Sequence, residues 1–138
     1  VISIGRLDYN TEGLILLTND GELARKLEMP SSGFIRKYRV RVYGKIEKKK
    51  LEQLANGIII NKSKYKPINV VFERQNSSNA WIHMSLKEGK NREIRNIIKF
   101  FGWEVTRLIR LEFGPFKLGS MKEKDLREIK YSDFSKLL

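Results

Sequence analysis

Residues 5–24 read GRLDYNTEGLILLTNDGELA. The middle of this stretch, Leu14 to Thr18, is a continuous apolar run of strand length, the pattern of a short buried strand. Thr18-Asn19-Asp20-Gly21 then supplies turn and N-cap chemistry, so a helix is expected over Glu22 to Glu28, stopped by Pro30. Ser31-Ser32-Gly33 reads as a loop. Upstream of the strand, Asp8 sits two residues from Arg6, between Gly5 and Gly13. Local chemistry leaves Asp8 two readings. It is an Asx-type turn residue ahead of Tyr-Asn-Thr, or it is a carboxylate kept ionised by nearby cations and available as nucleophile or general base. A metal-ligand reading is weak, because no D-x-D pattern or Glu partner stands beside it with ligand spacing.

Further along, the period becomes two. From Ile35 to Tyr43, Tyr38, Val40 and Val42 fall on one face, and Lys37, Arg39 and Arg41 on the other. A helix is expected over Glu47 to Asn56, ended by Gly57. Ile58–Ile60, Ile68–Arg74 and Ala80–Leu86 read as strands, with Gln75 to Asn79 as a polar hairpin loop. Asn91 to Phe101 is the clearest helix: Ile94, Ile97, Ile98 and Phe101 repeat as one stripe, and Gly102 closes it. Arg92, Arg95 and Lys99 share a second face of that helix. Val105 to Phe113 is a strand broken by Gly114-Pro115. In the tail a capping-type Ser120 precedes a candidate helix over Lys122–Glu128, followed by Ser132–Leu138. Strands outnumber helices and join through hairpins or short helices, so the expected class is α+β, with a mixed, largely antiparallel sheet flanked by short helices.

The composition narrows the partner. Of 138 residues, 28 are Lys or Arg and 16 are Asp or Glu, a net charge of +12. Such an excess repels itself unless a polyanion offsets it, which makes nucleic acid the leading partner. An anionic membrane surface is the competitor, disfavoured because no basic amphipathic helix and no membrane-length apolar run occurs. There is no cysteine, which excludes disulfides, thiolate nucleophiles and zinc–cysteine sites and is compatible with a cytoplasmic setting. The one histidine, His83, has no second imidazole to share a metal and reads as structural. The chain is expected to be one domain over 1–138. It begins at Val1 inside an apolar segment, which reads as a piece of a longer protein.

Four stretches together carry a resemblance: the 5–24 segment, Arg36-Lys37-Tyr38-Arg39-Val40, Leu86 to Arg95 (LKEGKNREIR), and Val105-Thr106-Arg107-Leu108-Ile109-Arg110 with Phe113 to Gly119. In this order they resemble the pseudouridine synthases of the RsuA/RluB type, which isomerise uridines in ribosomal RNA. The NREIR form is similar to the large-subunit branch. The resemblance implies the pseudouridine synthase catalytic fold and makes Asp8 the nucleophile. It makes Arg95 the partner that orients Asp8, and Tyr38 the ring that packs on the flipped base; core packing remains the other reading of Tyr38. Ile94 floors the uracil pocket or is simply core, and Thr11 is a further substrate-side candidate. Arg6 fills the vacated stack or grips phosphates, against a plain ion pair with Glu12 or Asp8. Lys37, Arg39, Lys90, Arg92, Arg107 and Arg110 are candidate RNA-backbone contacts, which position rather than specify. No cofactor and no metal is implied, and the expected partner is ribosomal RNA or an assembling ribosomal subunit, met by a monomer. Relatives carry an upstream K-P-x-G strand and a small RNA-binding module that this sequence lacks. A non-catalytic RNA-binding or ribosome-assembly protein is the rival reading. A DNA-binding regulator is weaker, since no helix-turn-helix pattern occurs.

Overall fold

In the computed structural model, residues 1–5, 7, 10–29, 32–89 and 92–138 are described. The strands are β1 (Ile2–Ile4), β2 (Thr11–Gly13), β3 (Leu16–Thr18), β4 (Arg36–Tyr43), β5 (Ile58–Ile60), β6 (Ser63–Tyr65), β7 (Ile68–Asn76), β8 (Asn79–Leu86), β9 (Glu104–Phe113) and β10 (Phe116–Lys117). The α-helices are α1 (Gly21–Glu28), α2 (Lys48–Glu52) and α3 (Glu93–Phe100). The main sheet runs β10-β9-β4-β8-β7, all antiparallel, and β2 adds to β9 in parallel. This is the α+β class expected, a mixed and mostly antiparallel sheet flanked by short helices.

β4 lies at the centre because its alternating pattern serves two environments. Val40 and Val42 are fully buried, while Arg39 and Arg41 lie on the opposite face. The buried face meets α3, whose Ile94, Ile97 and Ile98 stripe joins Val40, Val42, Ile82, Met84 and Leu108 in one core. A second core, of Ile4, Leu14, Leu16, Leu27, Phe113, Phe116 and Phe134, lies under α1 and the antiparallel β1–β3 pair. α1 starts as expected, with Asp20 Oδ1 accepting from the amides of Glu22 and Leu23 at 3.0 and 3.2 Å. No helix of the described residues is long and apolar enough to cross a membrane.

Several elements differ from the sequence reading. β1, β2, β6 and β10 are short strands without alternation of their own; β6 and β10 close tight hairpins on β5 and β9, while β1 and β2 are strands through pairing with β3 and with the distant β9. The 75–79 loop is shorter than expected: β7 and β8 extend to Asn76 and Asn79, leaving Ser77 and Ser78 to turn. Gln75 caps that turn, its Nε2 donating to the carbonyls of Gly44, Ser77 and Asn79. α3 begins at Glu93, and Arg92 stands before it in a left-handed conformation, so Arg92 shares no helical face with Arg95. The expected helix over Lys122–Glu128 does not form. Its Leu126 is 91% exposed, so it has no apolar stripe to bury. Asp125 instead turns back to accept from the Lys122 amide at 2.8 Å. Two single 3-10 turns, Tyr131–Asp133 and Ser135–Leu137, close the tail.

Candidate active site

The two cores leave a seam, and a cavity of about 950 Å3 opens along it. One wall is β1 and its loop, with Ile2, Gly5 and Leu7; the other is the sheet and α3, with Tyr38, Leu108, Ile94 and Arg95. Between them run two strand arginines, Arg36 and Arg110, and the segment Leu86 to Gly89.

Gly5 and Leu14, which bracket Asp8 in the sequence, are both held by one residue. Arg110 is 1% exposed. Its Nε donates to Leu14 O at 2.9 Å and its Nη1 to Gly5 O at 3.1 Å. Leu14 N–H returns a bond to Arg110 O at 2.9 Å. Gly5 is gripped from its other side as well, its amide donating to Glu28 Oε1 at 3.0 Å. Gly13 lies so close to β9 that a Cβ there would stand 2.7 Å from Arg110 N, at a φ of +103° that favours glycine. Burial pushes the Arg110 guanidinium below its ordinary value, and the Tyr38 side chain opposite it on β4 acts the other way. Arg36 (9% exposed) donates to Lys87 O at 3.0 Å. The guanidiniums of Arg36 and Arg110 lie 4.8 and 5.2 Å from the centre of the Phe113 ring. The cavity is therefore lined by two buried cations set against an aromatic ring, an environment that favours an anion.

Of the sequence-predicted residues, Tyr38, Ile94, Arg95, Thr11, Arg92 and Arg110 all line this cavity. Arg95 reaches across to the loop, its Nη2 donating to Asn10 O at 3.0 Å. Thr11 Oγ1 is buried and has no hydrogen-bond partner among the described residues. Arg6, Asp8 and Lys90 lie outside the described residues. Arg110, read in the sequence as an RNA-backbone contact, is buried and spends its guanidinium on the carbonyls of Leu14 and Gly5. Lys37 falls on the opposite face of β4 from Tyr38 and stands 3.7 Å from Glu112, away from the cavity. Arg39 shares that face; it grips Glu73 at 2.8 and 3.0 Å and stacks 3.8 Å from the centre of the Trp81 ring. His83 Nε2 meets the same Glu73 at 2.9 Å, the structural role expected for it. Arg107 is engaged by Glu12, and that hydrogen-bonded guanidinium, with a lesser contribution from Arg41, holds the Glu12 carboxyl below its ordinary range.

Among the cavity residues that the sequence reading did not name as site candidates are two buried charged side chains, Arg36 and Glu93. Arg36 lies two before Tyr38, so the same alternation that turned Lys37 outward turns Arg36 inward. Glu93, 3% exposed, lies four before Ile97 and so belongs to the buried stripe of α3. Both signals were present as spacing, and in both the charge argued against burial.

Residues 1–99 match the profile of the RNA pseudouridylate synthase family. Over 138 residues the chain is 46% identical to an RNA pseudouridine synthase of Rickettsia typhi, covering 100% of this chain and 57% of that protein. It is 38% identical over 136 residues to the ribosomal large subunit pseudouridine synthase B of Yersinia pestis, covering 94% of this chain and 43% of that one. A crystal structure of a pseudouridylate synthase superposes with a TM-score of 0.84 at 28% identity, over 99% of this chain and 59% of that chain. The chain thus spans a little over half the length of the first of these relatives.

Proposed function

The chain belongs to the RNA pseudouridylate synthase family, and from that premise we propose that it converts uridine to pseudouridine in ribosomal RNA of the large subunit, with Asp8 as the carboxylate acting on the sugar. The observation that carries this reading is the seam cavity, with Tyr38, Ile94 and Arg95 gathered around it, Gly5, Leu7 and Thr11 in its lining, and Gly5 and Leu14 held by Arg110. Leu7, the residue before Asp8, lines the cavity, and Asn10, two after it, is held by Arg95.

The reaction is an isomerisation. The C1′–N1 bond breaks, the uracil turns, a C1′–C5 bond forms, and the proton on C5 is exchanged for one on N1. No group enters or leaves. What the protein must supply is an anion at the anomeric centre and a closed space in which the free base can turn. Asp8 serves as that anion, adding to C1′ or removing the C2′ proton, and either role requires it ionised. The cationic lining supports ionisation, since Arg95, Arg36 and Arg110 raise the cost of protonating a nearby carboxylate. Tyr38 offers a ring face to the base, and Ile94 and Leu108 offer apolar floor. A uridine inside a stacked helix must be everted to reach this space, at roughly a few kcal/mol. Arg6 is assigned to the vacated stack, and Lys90 and Arg92 to the flanking backbone.

The test is Asp8→Asn in the full-length protein, assayed on unmodified ribosomal RNA by carbodiimide labelling and primer extension. Conversion is expected to vanish while RNA binding and the unfolding midpoint stay as before. Conversion at the parent rate would remove Asp8 from its role. Binding without conversion by the unaltered protein would favour the non-catalytic RNA-binding reading.

A further inference from the structure

Beside the main cavity lies a second, of about 390 Å3, lined by Asn10, Thr11, Glu12, Arg95, Thr106 and Arg107 together with Val105. Thr11 and Arg95 line both, so the two cavities are neighbours that share a wall. Its lining is cationic. Arg107 pairs with Glu12, the one carboxylate among its lining residues; Arg95 lines the cavity as well, and Arg41 adds a third cation beside it, its Nε donating to Thr106 Oγ1 at 3.0 Å.

Glu12 occupies the Arg107 fork in two-pronged fashion, with Nε and Nη2 donating to its two oxygens at 2.9 and 3.0 Å. Two oxygens at that spacing are also what the non-bridging pair of a phosphodiester presents to an arginine. The Glu12–Arg107 pair is half open to solvent, its side chains 52% and 44% exposed. A pair this exposed is weakly held and exchanges readily for a competing anion. The hydroxyl of Thr11, buried without a hydrogen-bond partner among the described residues, lies in the wall that the strand would cross.

We propose that the smaller cavity is the subsite for the phosphate of the nucleotide adjoining the target uridine, and that Glu12 fills the Arg107 fork until that phosphate displaces it. The proposal rests on the RNA reading above and adds to it a subsite and a built-in competitor. Glu12 then acts against binding: each encounter must eject a carboxylate from the fork before the strand can settle.

The experiment uses the full-length protein and short uridine-containing RNA stem-loops. Each carries either a phosphodiester or an uncharged methylphosphonate at one linkage beside the uridine. Glu12→Gln is expected to tighten binding of the all-phosphodiester RNA about twofold to fivefold, since the fork is then free. Arg107→Gln is expected to weaken it and to lower the slope of log affinity against log salt by about 0.7, one phosphate's worth on a single strand. Methylphosphonate at one of the two flanking linkages should cost the parent protein affinity and cost Arg107→Gln nothing further. Equal losses for parent and Arg107→Gln at both linkages, or unchanged affinity in Glu12→Gln, would overturn the subsite. Pseudouridine formation is followed in parallel. Normal conversion without charge coupling sinks the subsite alone, whereas a parent protein that neither binds nor converts RNA sinks the activity reading with it.

Discussion

Replacing Arg110 by methionine removes the clamp while keeping a long side chain in the β9 position. Two carbonyls, Leu14 O and Gly5 O, lose a charged donor. A hydrogen bond to a charged group contributes roughly 1.5–3 kcal/mol, and a buried carbonyl left unsatisfied costs a comparable amount. Against this, methionine relieves the desolvation of a cation that is only 1% exposed. The net expectation is a loss of about 2–4 kcal/mol, which a domain of ordinary stability, about 5–15 kcal/mol, survives. Urea unfolding followed by the fluorescence of the buried Trp81 and Trp103 should then show a lower midpoint with an unchanged slope. The corresponding drop in Tm is about 5–15 °C. Hydrogen exchange locates the damage. The amides of Gly5 and Leu14, which bond to Glu28 and to Arg110 O, should lose more protection than those of Val40 and Ile82 in the central strands. Arg110→Lys keeps one charge but reaches at most one carbonyl, so it should fall between parent and Met. A loss under about 1 kcal/mol in Arg110→Met, or uniform loss of protection across the sheet, would refute the claim that this guanidinium holds the two loop ends.

Gly13→Ala forces a methyl into the β9 backbone at a left-handed φ, and should cost about 2–4 kcal/mol by urea unfolding; a cost under about 0.5 kcal/mol would mean the parallel β2–β9 pairing is not close-packed. Glu73, hydrogen-bonded first by Arg39 and then by His83, has its carboxyl lowered from 4.5 to about 2. A depressed folded-state value stabilises above the unfolded pKa, so this contribution is whole above about pH 5 and fades as the pH falls toward about 2. Glu73→Gln should be less stable than the parent at pH 7 and lose less than the parent between pH 5 and 2.5. Parallel acid titrations of the two proteins would contradict the assignment.

Much of the architecture was legible along the chain because each signal was local. Asp20 capping α1, the isoleucine stripe of α3 and the alternation of β4 each report a neighbour within a few residues, and each formed as read. Tyr38, Ile94 and Arg95 were found through the resemblance, and the cavity brings them together. What the chain alone could not assign was the fate of its arginines. On β9 the sequence reading groups Arg107 and Arg110 together as RNA-backbone contacts, whereas the structure exposes Arg107 and buries Arg110. β4 pairs β9 with register shifts at Lys37/Tyr38 and Arg41/Val42, and it is this pairing, together with β2 on the other edge, that turns Leu108 and Arg110 toward the core. Guanidiniums identical in sequence thus become a clamp, a cavity wall or a solvent-facing fork. The reason is that burial belongs to strands far apart in the chain, and a register shift of one residue reverses which face meets water.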